Sequence, residues 1–140
     1  MIHGDFNTGL ASYLLGIKDV SQIGNHPLYG SLFENYIMSE CTKIQNHYAI
    51  PVDFYFWRDN TGHEIDLLLD GLSDLFPIEI KSGQTITSEF FKNLGFFQRT
   101  TNTQKAALIY TGKQMQQRSN GIKVVPWNSI YELLMELKEN

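Results

Sequence analysis

The sequence has almost no cysteine and no long apolar run, and each shortage excludes a class of protein. Cys41 is the only cysteine in 140 residues, so an internal disulfide is excluded and a reducing compartment is expected. No apolar run approaches the ~20 residues that a membrane helix needs. The start also lacks a charged segment followed by an apolar run and a small-residue cleavage site. We therefore expect a cytoplasmic protein without a membrane partner.

Basic side chains are also scarce, since 11 lysines and arginines stand against 15 aspartates and glutamates, for a net charge of -4. This balance argues against a broadly basic surface for nucleic acid, although a local groove can still be basic. Charged residues make up 19% of the chain and hydrophobic residues 42%, which is typical of globular proteins. A chain of this length is enough for one domain with a core.

The most informative stretch is a predicted β-hairpin. Apolar runs at 67–69 and 78–80 predict two strands, and the Asp, Gly and Ser residues at 70–74 predict the turn between them. Antiparallel pairing about the centre of this turn joins residues whose numbers sum to 145. Asp66 is therefore expected to lie opposite Glu79 on the neighbouring strand.

Alternation along the two strands sorts their side chains into two faces. One face is predicted to be apolar and consists of Ile65, Leu67, Leu69, Phe76, Ile78 and Ile80. The other face carries Glu64, Asp66, Glu79 and Lys81. Adjacent carboxylates repel each other unless cations are nearby; Lys81 supplies one positive charge and a divalent metal would supply the rest. The alternative is that this polar face is simply the solvent-exposed side of an antiparallel sheet.

Residues 1–27 are interpreted as an entry segment, the remnant of a larger protein, and residues 28–140 as the main domain. A helix is predicted over 28–48, because apolar residues recur there at steps of three and four. Glu34 falls at the border of this apolar stripe. It either reaches over the sheet edge toward a site or is an ordinary solvated flank residue.

The remaining pattern predicts a helix between the hairpin and a buried strand, which would allow that strand to run parallel to the one at 78–80. A capping residue at Thr87 or Ser88 opens this helix, and the capping-box pattern Ser129-x-x-Glu132 opens the last one. The other predicted elements are strands at 53–58, 105–110 and 122–126 and a loop at 112–121.

This order of elements, with Asp and then Glu-x-Lys on the hairpin, resembles the PD-(D/E)XK nuclease fold. The resemblance implies an α/β, restriction-endonuclease-like αβββαβ core with a mixed sheet flanked by helices. That superfamily includes type II restriction enzymes, archaeal Holliday junction resolvases and RecB-type nucleases. More closely, four stretches look like the C-terminal domain of predicted AAA+ ATPases of bacteria and archaea: 7–16, 26–35, 55–59 and 77–83.

The resemblance implies a divalent-metal-dependent endonuclease that hydrolyses DNA phosphodiester bonds. Lys81 would orient the attacking water or help to deprotonate it, and its pKa would have to fall for the second role. His63 is expected to be a surface residue beside the turn rather than a ligand. The groups implied to hold Mg²⁺ or Mn²⁺ are the carboxylates of Glu34, Asp66 and Glu79 and the carbonyl of Ile80.

The chain also departs from these families. Asn7 stands where the ATPase relatives usually have Asp, and no G-x-x-x-x-G-K-[ST] motif exists, so this chain cannot be the ATP-hydrolysing part. The RecB-type Gln-x-x-x-Tyr signature is missing, because Asn102 follows Gln98 at that spacing, so Gln98 is only a weak site candidate. We expect an AAA+ ATPase module in cis in relatives or in trans, and self-association through apolar residues near the start. The alternative function is a catalytically silent module that binds DNA or docks on an ATPase.

Overall fold

A computed structural model describes residues 27–140, with side chains from residue 29 onward. The predicted entry segment, apart from its last residue, lies outside the described residues. Two short 3-10 helices, Ser88–Phe91 and Trp127–Ser129, come directly before the α-helices that begin at Lys92 and Ile130. In chain order the elements are α1 (Pro27–His47), β1 (Asp53–Arg58), β2 (Glu64–Asp70), β3 (Phe76–Lys81), α2 (Lys92–Thr101), β4 (Ala106–Tyr110), β5 (Gln116–Gln117), β6 (Ile122–Pro126) and α3 (Ile130–Glu139).

The strands of the described residues form one mixed sheet in the order β1-β2-β3-β4-β6-β5. Strands β1 to β3 form an antiparallel meander, β3, β4 and β6 run parallel, and β5 is an antiparallel edge strand. Helix α2 is the crossover between β3 and β4, as the sequence predicts. The chain is therefore a mixed α/β protein with a six-stranded sheet flanked by helices. No helix in residues 27–140 is long and apolar enough to cross a bilayer.

The register of the central hairpin is the predicted one. Leu67 pairs with Ile78 and Leu69 with Phe76, so the residue numbers of each pair have the expected sum. Gly71 fixes the start of the turn, because its φ is +113° and an added Cβ would lie 2.5 Å from the Pro51 carbonyl oxygen. Only glycine fits such a close approach in this conformation.

The predicted sorting of faces is wrong at Ile65. Strand β2 carries a bulge, because Tyr55 of β1 pairs with Leu68 whereas Trp57 pairs with Ile65, which leaves two β2 residues opposite one β1 residue. A bulge inserts one residue and shifts the alternation beyond it. Ile65 consequently packs with Leu68 on the α2 side of the sheet rather than with Leu67 on the other side.

The core consists of two apolar layers, one on each side of the sheet. Helices α1 and α3 cover one side, where Phe33 and Ile37 pack against Ile78. Helix α2 covers the other side through Leu94 and Phe97, both almost fully buried. Burying each such large apolar side chain contributes ~1.5–3 kcal/mol. The sheet is thus covered by packed helices on both sides.

The boundaries of the helices and strands differ from the prediction more than their order and type do. Neither Thr87 nor Ser129 makes a side-chain capping hydrogen bond, and a turn of 3-10 helix leads into α2 and α3 instead. The predicted loop at 112–121 contains β5, where Gln116 pairs with Val124 of β6. This strand has two residues, too few to produce an alternating pattern.

Candidate functional site

The bulge in β2 places Asp66 beside the end of β3. The backbone pairing of the two strands stops at Leu67 and Ile78, and the Ile80 N–H donates a hydrogen bond of 2.8 Å to Asp66 Oδ2. A carboxylate therefore replaces a backbone carbonyl where the strands separate. Asp66 is 9% exposed, so its charge lies close to the protein interior.

Glu79 lies next to Asp66 and faces the α2 side of the sheet, since it pairs with Leu108 of the core layer on that side. It is 1% exposed, and neither of its carboxyl oxygens has a hydrogen-bond partner. Lys81 Nζ is 3.2 Å from Oε2, but this ion-pair contact lacks hydrogen-bond geometry. Burial and the charge of Asp66 raise the pKa of Glu79 from 4.5 to about 9, despite the opposing charge of Lys81.

Lys81 ends β3 on the same face as Glu79 and is about one-third exposed. Burial lowers the pKa of Lys81, but the negative charges of Glu79 and Asp66 raise it more, so the net direction is upward. This is opposite to the fall that the base role requires. The arrangement favours an ammonium group that orients a water or a phosphate.

Helix α1 brings Glu34 to the same end of the sheet. The helix begins over the end of β3, because a Cβ added at Gly30 would lie 3.8 Å from Ser82 Oγ. Glu34 is partly buried one turn later, and its pKa rises to about 7 through burial and the charge of Asp66, while Lys81 opposes this rise. The side chain is thus not the freely solvated flank residue of the alternative interpretation.

Two other polar candidates have different surroundings. Glu64 forms an ion pair of 3.5 Å with Arg58 at the rim, where both side chains are exposed. Gln98 donates from Nε2 to the Asn120 carbonyl oxygen at 3.0 Å, so its amide holds the loop that precedes β6. The hydrogen bonds of the Gln98 amide are therefore structural contacts with backbone carbonyls rather than contacts with the carboxylate cluster.

The donor chemistry of the cluster fits a hard divalent cation. Glu34, Asp66 and Glu79 offer carboxylate oxygens, and the Glu79 oxygens are buried without hydrogen-bond donors. Within residues 27–140, however, no three or more His, Cys, Asp or Glu side chains are already arranged to hold a metal ion. The oxygen donors present thus match Mg²⁺ or Mn²⁺ in type but are not pre-assembled around one position.

A cleft with a volume of about 440 Å³ opens beside Lys81. Its walls come from the β1–β2 turn, the first residues of α2 and the segment that leads into α2. They include Thr61, Gly62, His63, Phe90, Lys92 and Asn93. The contribution of Lys92 and Asn93 to this cleft was not predicted from the sequence. The sequence signal for this contribution was Gly83, which ends the strand after Glu-x-Lys. The chain can turn there, and the next helix then begins beside the site.

The pKa of Glu79 predicts how stability depends on pH. Because this pKa is above 4.5 in the folded state, the folded protein keeps a proton that the unfolded chain loses between pH 4.5 and about 9. The resulting stability is complete below pH 4.5 and is lost as the pH rises through about 9. We expect Glu79→Gln to flatten this loss in metal-free buffer. Urea unfolding at pH 5, 7 and 9 measures it, with Glu132→Gln on the exposed side of α3 as the control; equal slopes in all three proteins would contradict it.

Comparison with known proteins places the fold and the family. Protein VC1899 from Vibrio cholerae has a similar fold, with a TM-score of 0.55 and 15% identity over 79% of this chain and 33% of that one. Two uncharacterized proteins, Mb2031c of Mycobacterium bovis and Rv2008c of Mycobacterium tuberculosis, are 25% identical over 138 aligned residues. The alignment covers 94% of this chain but 30% of each relative, so the chain spans under a third of their length. Residues 29–130 match the family described as a domain of unknown function, DUF4143, and the chain belongs to that family.

Proposed function

We propose that this protein is a divalent-metal-dependent nuclease-like domain of the PD-(D/E)XK type that hydrolyses DNA phosphodiester bonds. The observation that carries this proposal is the buried carboxyl group of Glu79, which lies beside Asp66, forms an ion pair with Lys81 and accepts no hydrogen bond. A buried carboxyl that accepts no hydrogen bond is costly for folding alone, and such groups concentrate at functional sites.

In this proposal the carboxylates of Asp66, Glu79 and Glu34 and the carbonyl of Ile80 bind Mg²⁺ or Mn²⁺. The bound metal would lower the pKa of a water molecule and offset the charge that develops on the scissile phosphate. Lys81 holds its ammonium group beside Glu79 and orients the water or a phosphate oxygen. Asp66 keeps its orientation through the hydrogen bond from the Ile80 N–H.

We further propose that residues 28–140 act as the nuclease-like domain next to an AAA+ ATPase module, in cis in relatives or in trans. The curated relatives are much longer than the matched region, which leaves room in them for such a module. Self-association of this chain remains a prediction, because the apolar patch on which it rests lies outside the described residues.

The direct test is a cleavage assay on linear, nicked, single-stranded and four-way-junction DNA. We expect cutting or nicking with Mg²⁺ or Mn²⁺ and none with EDTA. Ca²⁺ should support binding better than cleavage, because it is larger and activates water less well. Absence of cleavage of all four DNAs with Mn²⁺ would remove the nuclease proposal.

A catalytically silent module that binds DNA or docks on an ATPase is the second candidate. The specific observation in its favour is that no metal-holding group is pre-assembled within the described part of the chain. The net charge of -4 adds to it, since it predicts weak general attraction to DNA. DNA binding or ATPase binding without cleavage under every metal condition is the result expected for this function.

A further inference from the structure

The turn between β1 and β2 holds an imidazole in a defined position. The Asp59 carboxylate accepts hydrogen bonds from the backbone N–H groups of Thr61, at 2.9 Å, and His63, at 2.8 Å. Its Oδ2 also lies 2.7 Å from Thr61 Oγ1 and 3.1 Å from His63 Nδ1. Partial burial raises the pKa of Asp59, but these hydrogen bonds outweigh it and lower the pKa to about 2, so the group is a carboxylate.

This network decides which nitrogen of the neutral His63 ring carries the proton. The Thr61 hydroxyl has one proton and donates it to Asp59 Oδ2. His63 Nδ1 then faces two oxygens, those of Asp59 and Thr61, and a carboxylate can only accept. Nδ1 therefore carries the proton, and Nε2 has a free lone pair.

One further contact holds the ring, which lies beside the cleft. Phe96 of α2 stacks on it, with ring centroids 3.6 Å apart and planes 2° from parallel. His63 is 26% exposed and lines the same cleft as Lys81. The prediction of a turn residue is thus right in position, but the side chain is held rather than freely exposed.

Resting on the proposed nuclease function, we propose that His63 is a further catalytic residue, the general base whose Nε2 takes a proton from the attacking water. The water oxygen forms a bond to phosphorus, and the bond from phosphorus to the leaving oxygen breaks. The leaving oxygen takes a proton from solvent, and the imidazolium later returns its proton to solvent. Asp59 is a positioning residue that holds the ring in the required tautomer and stabilises the transient imidazolium.

The first test is the rate of single-turnover cleavage with Mn²⁺, measured at one pH for the wild type and the variants. His63→Gln should lower the rate about 10²–10⁴-fold, while binding of the same DNA with Ca²⁺ stays unchanged. The charged groups that line this region besides Asp59 are Lys81, Glu89 and Lys92, and all three remain in the variant. His47→Gln, on the exposed end of α1, is the matched control.

The second readout does not depend on activity. Nitrogen NMR of the imidazole should show the Nδ1–H tautomer in the wild type and a loss of that preference in Asp59→Asn. Thermal unfolding confirms that both variants fold. Wild-type cleavage that His63→Gln leaves unchanged, or an Nε2–H tautomer in the wild type, would overturn the role of His63 alone. A wild type that cuts no DNA would overturn the proposed function and this role with it.

Discussion

Replacing Lys81 with alanine should lower the rate of DNA cleavage about 10²–10³-fold, the usual cost of removing one positioned donor from a reaction centre. Lys81 forms an ion pair with Glu79, with Nζ 3.2 Å from Oε2. It bears no lone pair for a metal while it is protonated, and its raised pKa keeps it protonated. The loss should therefore fall on the chemical step, with Mn²⁺ binding largely retained.

Calorimetry with Mn²⁺ and single-turnover cleavage, run on the same preparations, separate these two effects. Lys113→Ala is the matched control, because Lys113 is exposed in the segment between β4 and β5. Equal losses of metal affinity and cleavage in Lys81→Ala would show that Lys81 supports the metal site itself. Unchanged cleavage would exclude it from the reaction.

The hairpin register was predictable because two local signals agree on it. The turn residues at 70–74 fix the centre of the hairpin, and apolar residues at alternate positions fix which side faces the core. Leu67 opposite Ile78 follows from both. The crossover helix before β4 was predictable for a similar reason, since a parallel partner for β3 requires such a connection.

The bulge at Asp66 and the packing of Ile65 were not predictable from alternation. A bulge shifts the alternation beyond it without any change in composition, and here Trp57, which pairs with Ile65 beyond the bulge, packs against Phe97 on the α2 side. The missing cap at Ser129 is another such case. Local pattern favours a capping box there, but a 3-10 turn from Trp127 leads into α3 instead.

The site shows the same division between local and tertiary information. Glu-x-Lys placed Glu79 and Lys81 on one face, as alternation requires. Sequence spacing does not reveal that Glu79 is almost completely buried and accepts no hydrogen bond. Its burial depends on Leu108 of the neighbouring strand and on α2, which covers that side of the sheet. The ring stack of Phe96 on His63 likewise joins residues from two separate elements.

Asp66→Asn should have opposite effects on metal binding and on metal-free stability. The asparagine oxygen still accepts the hydrogen bond from the Ile80 N–H, so the strand ends stay joined. The lost negative charge is one that raises the pKa of Glu79, so that pKa should fall. Each unit of this fall is worth about 1.4 kcal/mol of unfolding free energy once the pH exceeds the pKa. Metal-free Asp66→Asn should therefore match or exceed the wild type in stability at high pH.

With Mn²⁺ the order should reverse, because a ligand that binds only the folded state raises its stability. The wild type should gain stability with increasing Mn²⁺, whereas Asp66→Asn should gain none and should cut no DNA. Asp70→Asn is the matched control, since Asp70 is an exposed residue at the other end of β2. Thermal unfolding at pH 9 with EDTA measures the metal-free stability. Thermal unfolding at pH 7 with a series of Mn²⁺ concentrations measures the stabilisation by the metal. An equal gain in thermal stability with Mn²⁺ in Asp66→Asn and the wild type would show that the metal binds elsewhere. Binding at Asp66 is expected to stabilise the wild type but not Asp66→Asn.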